Sequence, residues 1–262
     1  MERELIVIAG PTAAGKSRIA LELAEELNGE IVSCDSMQLY RFMDIGSAKP
    51  SPEDLARVPH HLVGVIDPKE PFSVARYRDL AREAIEGIFS RGRRPFLVGG
   101  TGLYLNALLY EMDFAGAAPD PALRQGYETL AKERGAEALH KVLAGRHPES
   151  AARIHPNNLK RVIRALETLD QTGKSTDAFK RTWEPVRDYH PRLAGISCER
   201  RVLWERINKR VDEMMAQGLL DEVRGLLDRG LTLADPAMLG IGYKELAAHL
   251  LGVGTLEEAV QK

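Results

Sequence analysis

The stretch Gly10-Pro11-Thr12-Ala13-Ala14-Gly15-Lys16-Ser17 fits the phosphate-binding (P-loop) pattern G-x-x-x-x-G-K-[ST]. Its glycines let backbone N–H groups close on phosphate oxygens at a helix N-terminus. Lys16 adds a point charge, and the Ser17 hydroxyl is a hard oxygen ligand for Mg²⁺. In Cys34-Asp35-Ser36-Met37-Gln38 the best-placed carboxylate is Asp35. It can serve as a metal partner, as a general base, or as the cap of its own turn. The Gln38 amide matches the amino and ring-nitrogen pair of an adenine. Thr101 sets a hydroxyl between Gly100 and Gly102, where a ligand can approach the backbone closely. Arg206 and Arg210 share a helix face that either points at phosphates or pairs with Asp212 and Glu213. His60-His61 has no third ligand nearby and reads as structural.

Positioning such groups requires strands that end beside one another. Residues 5–9 (LIVIA) form a short apolar run suited to a buried parallel strand. Ile19, Ala20, Leu23 and Leu27 then recur at helical spacing until Asn28-Gly29. Glu30 to Ser33 reads as a second strand and Arg94 to Val98 as a third. Between them Ser51-Pro52-Glu53-Asp54 opens a helix, and a longer one starts at Ser73 with Val74, Tyr77, Leu80, Ala84, Ile85 and Ile88 on one face. This alternation predicts an α/β fold, a parallel sheet flanked by helices, with the loops Gly10–Ser17, Asp35–Gln38 and Gly99–Gly102 meeting at the strand C-terminal ends. The third strand ends in Gly99-Gly100-Thr101, without the Asp that a nucleotide hydrolase uses to help hold Mg²⁺.

After Phe114 the pattern changes. Ala115–Pro121 reads as a connector, helices run from Asp120 to about Thr172, and the QTGKST and DYHP (188–191) segments read as loops. Leu193 to Ser197 resembles a returning strand, followed by a charged helix from Glu199 to about Met215. The expected organisation is a core of residues 1–114 and 192–262 with a helical insertion domain at 115–191. Between Ala151 and Arg210 fourteen Lys and Arg face seven Asp and Glu, a surplus of +7 in a chain whose total is −2. Such a block suits a polyanion as well as a solvated face. Within 155–167, Lys160, Arg161 and Arg164 lie about one helical turn apart and suit RNA phosphates, while Leu159, Val162, Ile163 and Leu166 form the buried side.

No apolar run approaches the ~20 residues of a membrane span, and the charged start gives no sign of a cleavable signal peptide. The two cysteines, Cys34 and Cys198, form neither a metal-ligand spacing nor a disulfide framework. The expectation is a cytoplasmic enzyme without membrane association or obligate protein partner, for which nothing demands more than a monomer. From residues alone, an ATP-binding small-molecule kinase and a non-catalytic RNA-binding module remain open. The kinase reading explains neither the +7 helical insertion nor the DSMQLY stretch.

The segments GPTAAGKS, DSMQLYRFMDIGSAKP, PHHL, LVGGTGLYL, RIHPNNLKRVIRALE and GIGYKEL occur in this order across essentially the whole chain. Together they resemble the bacterial tRNA dimethylallyltransferases, the tRNA isopentenyl transferases. The resemblance implies transfer of a dimethylallyl group from dimethylallyl diphosphate to N6 of the adenosine 3′ of the anticodon, with loss of Mg²⁺-bound pyrophosphate. It further implies Asp35 as base, Thr101 as the group positioning base and leaving group, and Arg210 as a pyrophosphate ligand. Gly10, Pro11, Thr12, Ala13, Ala14, Gly15, Lys16 and Ser17 would hold the diphosphate, with Ser17 on the metal. Asp35, Ser36, Met37, Gln38 and Thr101 would hold a flipped adenine. Arg124 and the stretch Lys160, Arg161, Val162, Ile163 and Arg164 would grip the anticodon stem-loop. Proteins of this kind continue past the equivalent of Lys262 into a basic helix, so the resemblance implies a C-terminally truncated chain.

Overall fold

A computed structural model of the protein describes residues 3–112, 120–173 and 184–261. Its sheet contains β1 (Glu4–Ala9), β2 (Gly29–Cys34), β3 (His60–His61), β4 (Arg94–Gly99) and β5 (His190–Gly195). The order is β3-β2-β4-β1-β5, and every pairing is parallel. Ala9 pairs with both Gly99 and Gly195, and Gly99 with Cys34, so four strands end at one level. The three predicted loops therefore leave the sheet side by side.

The two glycines at this end have a steric reason. A Cβ on Gly99 would stand 2.1 Å from the Cys34 carbonyl oxygen, and one on Gly10 would stand 2.4 Å from that of Ile196. Side chains here would force the strands apart. Below this rim, Leu5, Val7, Val32, Phe96 and Leu97 are buried; each contributes roughly 1.5–3 kcal/mol by leaving water.

Helix α1 (Lys16–Glu26) follows the phosphate loop, and α2 (Pro52–Arg57) begins with a Ser51/Asp54 capping box. In α3 (Val74–Ser90), capped by Ser73, the buried residues are Tyr77, Ala81, Ile85 and Ile88. Leu80 and Ala84 lie at the margin of that face, and Leu23 of α1 is exposed. Helix α4 (Gly102–Leu109) closes the first part of this unit, and its Tyr104 ring stacks on Tyr77 at 3.9 Å. His60 and His61 are structural: His61 Nε2 lies 2.6 Å from Glu30 Oε2, and His60 Nδ1 lies 2.8 Å from the Val58 carbonyl.

The chain divides into two compact units, Tyr110–Glu184 and the remainder, Met1–Leu109 with Pro185–Lys262. These boundaries precede the expected 115 and 191. The return strand is likewise earlier than Leu193–Ser197: His190 and Pro191, expected in a loop, already belong to β5 and pair with Glu4 and Leu5. All six β5 residues are exposed, so no buried apolar alternation marks its start. The connector Ala115–Pro121 falls largely outside the described residues, as do 174–176 of the QTGKST segment, whose Gln171 and Thr172 belong to the helix Leu159–Thr172 rather than to a loop.

The helical unit comprises α5 (Pro121–Arg134), α6 (Ala136–Arg146), α7 (Pro148–Arg153) and α8 (Leu159–Thr172). They enclose Leu139, Leu143, Ala151, Val162, Ile163, Ala165 and Leu166. The core resumes after β5 with α9 (Arg200–Ala216), α10 (Leu219–Asp228), a short 3-10 turn at Pro236–Leu239, α11 (Tyr243–Leu250) and α12 (Leu256–Gln261). Among the described residues no helix is long and apolar enough to cross a membrane.

Candidate active site

The phosphate loop is built from backbone. Ala13 and Gly15 both take left-handed conformations, φ 63° and 94°, which turn the chain sharply into α1. That helix starts without a side-chain cap, leaving first-turn amides and the positive end of the helix dipole for an anion. Lys16 Nζ donates to the Pro11 carbonyl at 2.8 Å, so the ammonium curls back over its own loop. From α9, Arg206 Nη1 reaches the Ala13 carbonyl at 3.4 Å. The alternative pairing of these arginines is not the one observed; Lys209 is the cation beside Glu213.

Three charges share this place. Burial holds the Lys16 ammonium below its ordinary 10.5, with Asp35 opposing that shift and Arg210 adding to it. Burial also lowers Arg210, again opposed by Asp35. One carboxylate therefore faces two partly desolvated cations. The surplus of positive charge suits an anionic ligand.

Asp35 serves its turn as well. Its Oδ1 accepts the Met37 N–H at 2.8 Å and the Gln38 N–H at 3.4 Å, while Oδ2 takes no hydrogen bond among the described residues. The capping role and an available carboxylate oxygen thus coexist. Thr101 ties this turn to β4: its hydroxyl accepts the Ser36 N–H at 3.1 Å, and its own N–H donates to the Cys34 carbonyl at 3.2 Å. Burial pushes the Cys34 thiol up to about 12, so it is no nucleophile at neutral pH.

Among the described residues no group of three or more His, Cys, Asp or Glu side chains could hold a metal. Oxygen donors suited to Mg²⁺ are present in the exposed Ser17 hydroxyl and Asp35. Mg²⁺ commonly takes one or two protein oxygens and completes its shell from phosphate and water, so this donor set fits a cation that arrives with a diphosphate.

Several expected contacts are redirected. The Gln38 amide is used inside the protein: Oε1 accepts from Ser33 Oγ at 2.8 Å, and Nε2 donates to the Ala48 and Ser47 carbonyls at 3.0 and 3.4 Å. Pairing that side chain with an adenine would require breaking these bonds. In the helical unit, the side chains of Val162 and Ile163 are packed into its core. Arg124 and Arg164 both bind the buried Glu167, Arg124 at 3.0 and 3.1 Å and Arg164 at 2.6 Å. Lys160 and Arg161, one turn before Arg164 on α8, stand exposed.

Sequence reading passed over Glu222 of α10. Its carboxylate accepts the N–H groups of Asp44, Ile45 and Gly46 and the hydroxyl of Tyr243. Its three backbone partners lie more than 170 residues away and leave no local signal.

The IPP transferase family model matches residues 38–262, and that of isopentenyl transferase matches residues 3–62. A tRNA dimethylallyltransferase of Geobacillus thermodenitrificans is 50% identical over 262 residues, all of this chain and 83% of that protein. One from Bacillus licheniformis is 49% identical over 257 residues, 98% of this chain and 82% of its own. Among solved structures, the full-length tRNA isopentenylpyrophosphate transferase of Bacillus halodurans is 45% identical with a TM-score of 0.70, covering 99% of this chain and 81% of that one. A eukaryotic dimethylallyltransferase acting on tRNA is 28% identical with a TM-score of 0.82, over 99% of this chain and 66% of that one.

Proposed function

The chain belongs to the IPP transferase family, and on that premise we propose how its site carries out prenyl transfer to tRNA. The donor is dimethylallyl diphosphate and the acceptor is N6 of the adenosine 3′ of the anticodon, in a cytoplasmic RNA. N6 forms a bond to the allylic carbon, the bond from that carbon to the diphosphate oxygen breaks with its electron pair, and the N6 proton passes to Asp35. The observation that supports this reading is the charge arrangement: one carboxylate opposite the buried-side cations Lys16 and Arg210, above an uncapped helix start.

Each group has a task. Backbone N–H groups of Gly10–Ser17, with Lys16, Arg206 and Arg210, stabilise the charge that develops on departing pyrophosphate. Mg²⁺, held through Ser17 and the diphosphate, would further neutralise that charge. Thr101 fixes the Asp35–Gln38 turn, so that the carboxylate faces an adenine flipped out of its stack. The backbone of that turn and Met37 form its bed, since the Gln38 amide is already engaged. Lys160 and Arg161 supply phosphate contacts to the stem-loop.

The test is the mass of a synthetic anticodon stem-loop after incubation with the protein, Mg²⁺ and dimethylallyl diphosphate. The expected gain is one dimethylallyl group on the target adenosine. Asp35→Asn keeps an oxygen to cap the turn but removes the base, so turnover should fall by ~10²-fold or more while pyrophosphate still binds. Wild-type protein that leaves the RNA unmodified, or an Asp35→Asn variant that turns over normally, would overturn the assignment.

A further inference from the structure

We propose that Glu222 is a positioning residue for the acceptor nucleotide, an inference that rests on the function above. Its Oε2 accepts the Asp44 and Ile45 N–H groups at 2.8 and 2.7 Å, and its Oε1 accepts the Gly46 N–H at 3.1 Å and the Tyr243 hydroxyl at 2.6 Å. Three consecutive amides on one carboxylate form a nest for an anion. Here the anion is the protein's own side chain, so residues 44–46 are pinned to α10 without regular secondary structure.

The pinned segment leads back to the catalytic turn. The Gln38 amide bonds the Ser47 and Ala48 carbonyls, next to the nest, and Gln38 immediately follows the Asp35-Ser36-Met37 turn. Lys49 ties the same loop across, from Nζ to the Tyr40 carbonyl and to Asp44, both at 2.6 Å. A second link runs through α11. Tyr243, held by Glu222, packs so closely on Gly46 that a Cβ there would lie 2.6 Å from its ring. Just before it, a Cβ on Gly240 would stand 2.4 Å from Met37. The closed path Glu222, 44–48, Gln38, Met37, Gly240, Tyr243 and back to Glu222 holds the adenine bed from below. It explains why DSMQLYRFMDIGSAKP and GIGYKEL, far apart in sequence, meet in the structure. None of its members touches the phosphate loop in the bonds described, which separates acceptor placement from donor binding.

The experiment compares Glu222→Ala and Glu222→Gln in the whole chain. For Glu222→Ala, kcat/KM for the stem-loop should fall roughly tenfold or more, through a lowered kcat as well as a raised KM, because a misplaced acceptor costs rate steeply. The Kd for inorganic pyrophosphate should stay at the wild-type value. Glu222→Gln retains one acceptor oxygen and should recover part of the loss. Backbone hydrogen exchange at 35–48 should accelerate in Glu222→Ala, a readout that needs no turnover. Unchanged kcat/KM with unchanged exchange would overturn the proposal, as would parallel loss of pyrophosphate and RNA binding, which marks general destabilisation. If the alanine variant does not fold, the glutamine variant carries the same comparison. Wild-type protein that fails to modify the stem-loop would instead count against the function, and exchange would still decide the role of Glu222.

Discussion

Lys16 carries the most direct electrostatic consequence of the site. Its ammonium is held below the ordinary lysine value chiefly by burial, with Asp35 opposing. The neutral form is therefore reached at a lower pH than for a solvated lysine, and an anion bound beside it favours the charged form. Pyrophosphate affinity should consequently be full near neutrality and decline as pH rises, beginning below 10.5. Lys16→Arg keeps its charge through that range and should bind more weakly at neutrality but with a flatter profile. Calorimetric titration of both proteins between about pH 7 and pH 10 checks this; coincident slopes would contradict it. The sequence singled out the loop 10–17, Asp35 and Thr101 by residue type, and the structure brings them together: Asp35 faces Lys16, and the Thr101 hydroxyl bonds the turn that Asp35 caps. For Gln38, Val162 and Ile163 the sequence could not show what the structure adds, that the Gln38 amide bonds within the protein and that the two apolar side chains are buried.

At the scale of elements, α8 shows what helical charge spacing leaves open. Arg164 and, from α5, Arg124 converge on Glu167, which is fully buried and also accepts the Asp120 N–H at 2.6 Å. Burial pushes the Glu167 carboxyl up, but the combined hydrogen bonds from Arg124, Arg164 and Asp120 outweigh it and hold the carboxyl below its ordinary 4.5. A depressed carboxylate value stabilises the fold above the unfolded-state pKa, and that stability is lost as pH falls through the lowered folded-state value. Glu167→Gln should lower the stability of the helical unit by about 2 kcal/mol near neutrality, with the deficit shrinking in acid. Denaturant titrations at about pH 7 and pH 3 would show this; an equal deficit at both would sink it. Element boundaries were legible where buried periodicity or caps mark them, as at Ser51, Ser73 and Asp120. They were missed at β5, where parallel pairing with β1 sets the start and every side chain is exposed.

For the whole molecule, the basic surplus between Ala151 and Arg210 proves to belong to both units. Past Pro185, seven Lys and Arg face three Asp and Glu, and these lie in the core rather than in the helical unit. Linear charge counting could not divide them because the chain crosses between units inside the block. The sheet itself supplies a last consequence, through the thiol at the inner end of β2. Cys34 has no exposure, whereas Cys198 is partly open. A thiol reagent in excess should label Cys198 promptly and Cys34 only when β2 parts from β4, so the slow phase times the opening of the site's floor. Under the proposed function pyrophosphate binds the closed protein, so saturating it should slow that phase and leave the fast one alone. An unchanged Cys34 phase would show that the floor and the phosphate loop open independently, and equal slowing of both thiols would mark a general protection rather than closure of the sheet. The molecule thus contains its own clock for how tightly donor binding closes the sheet.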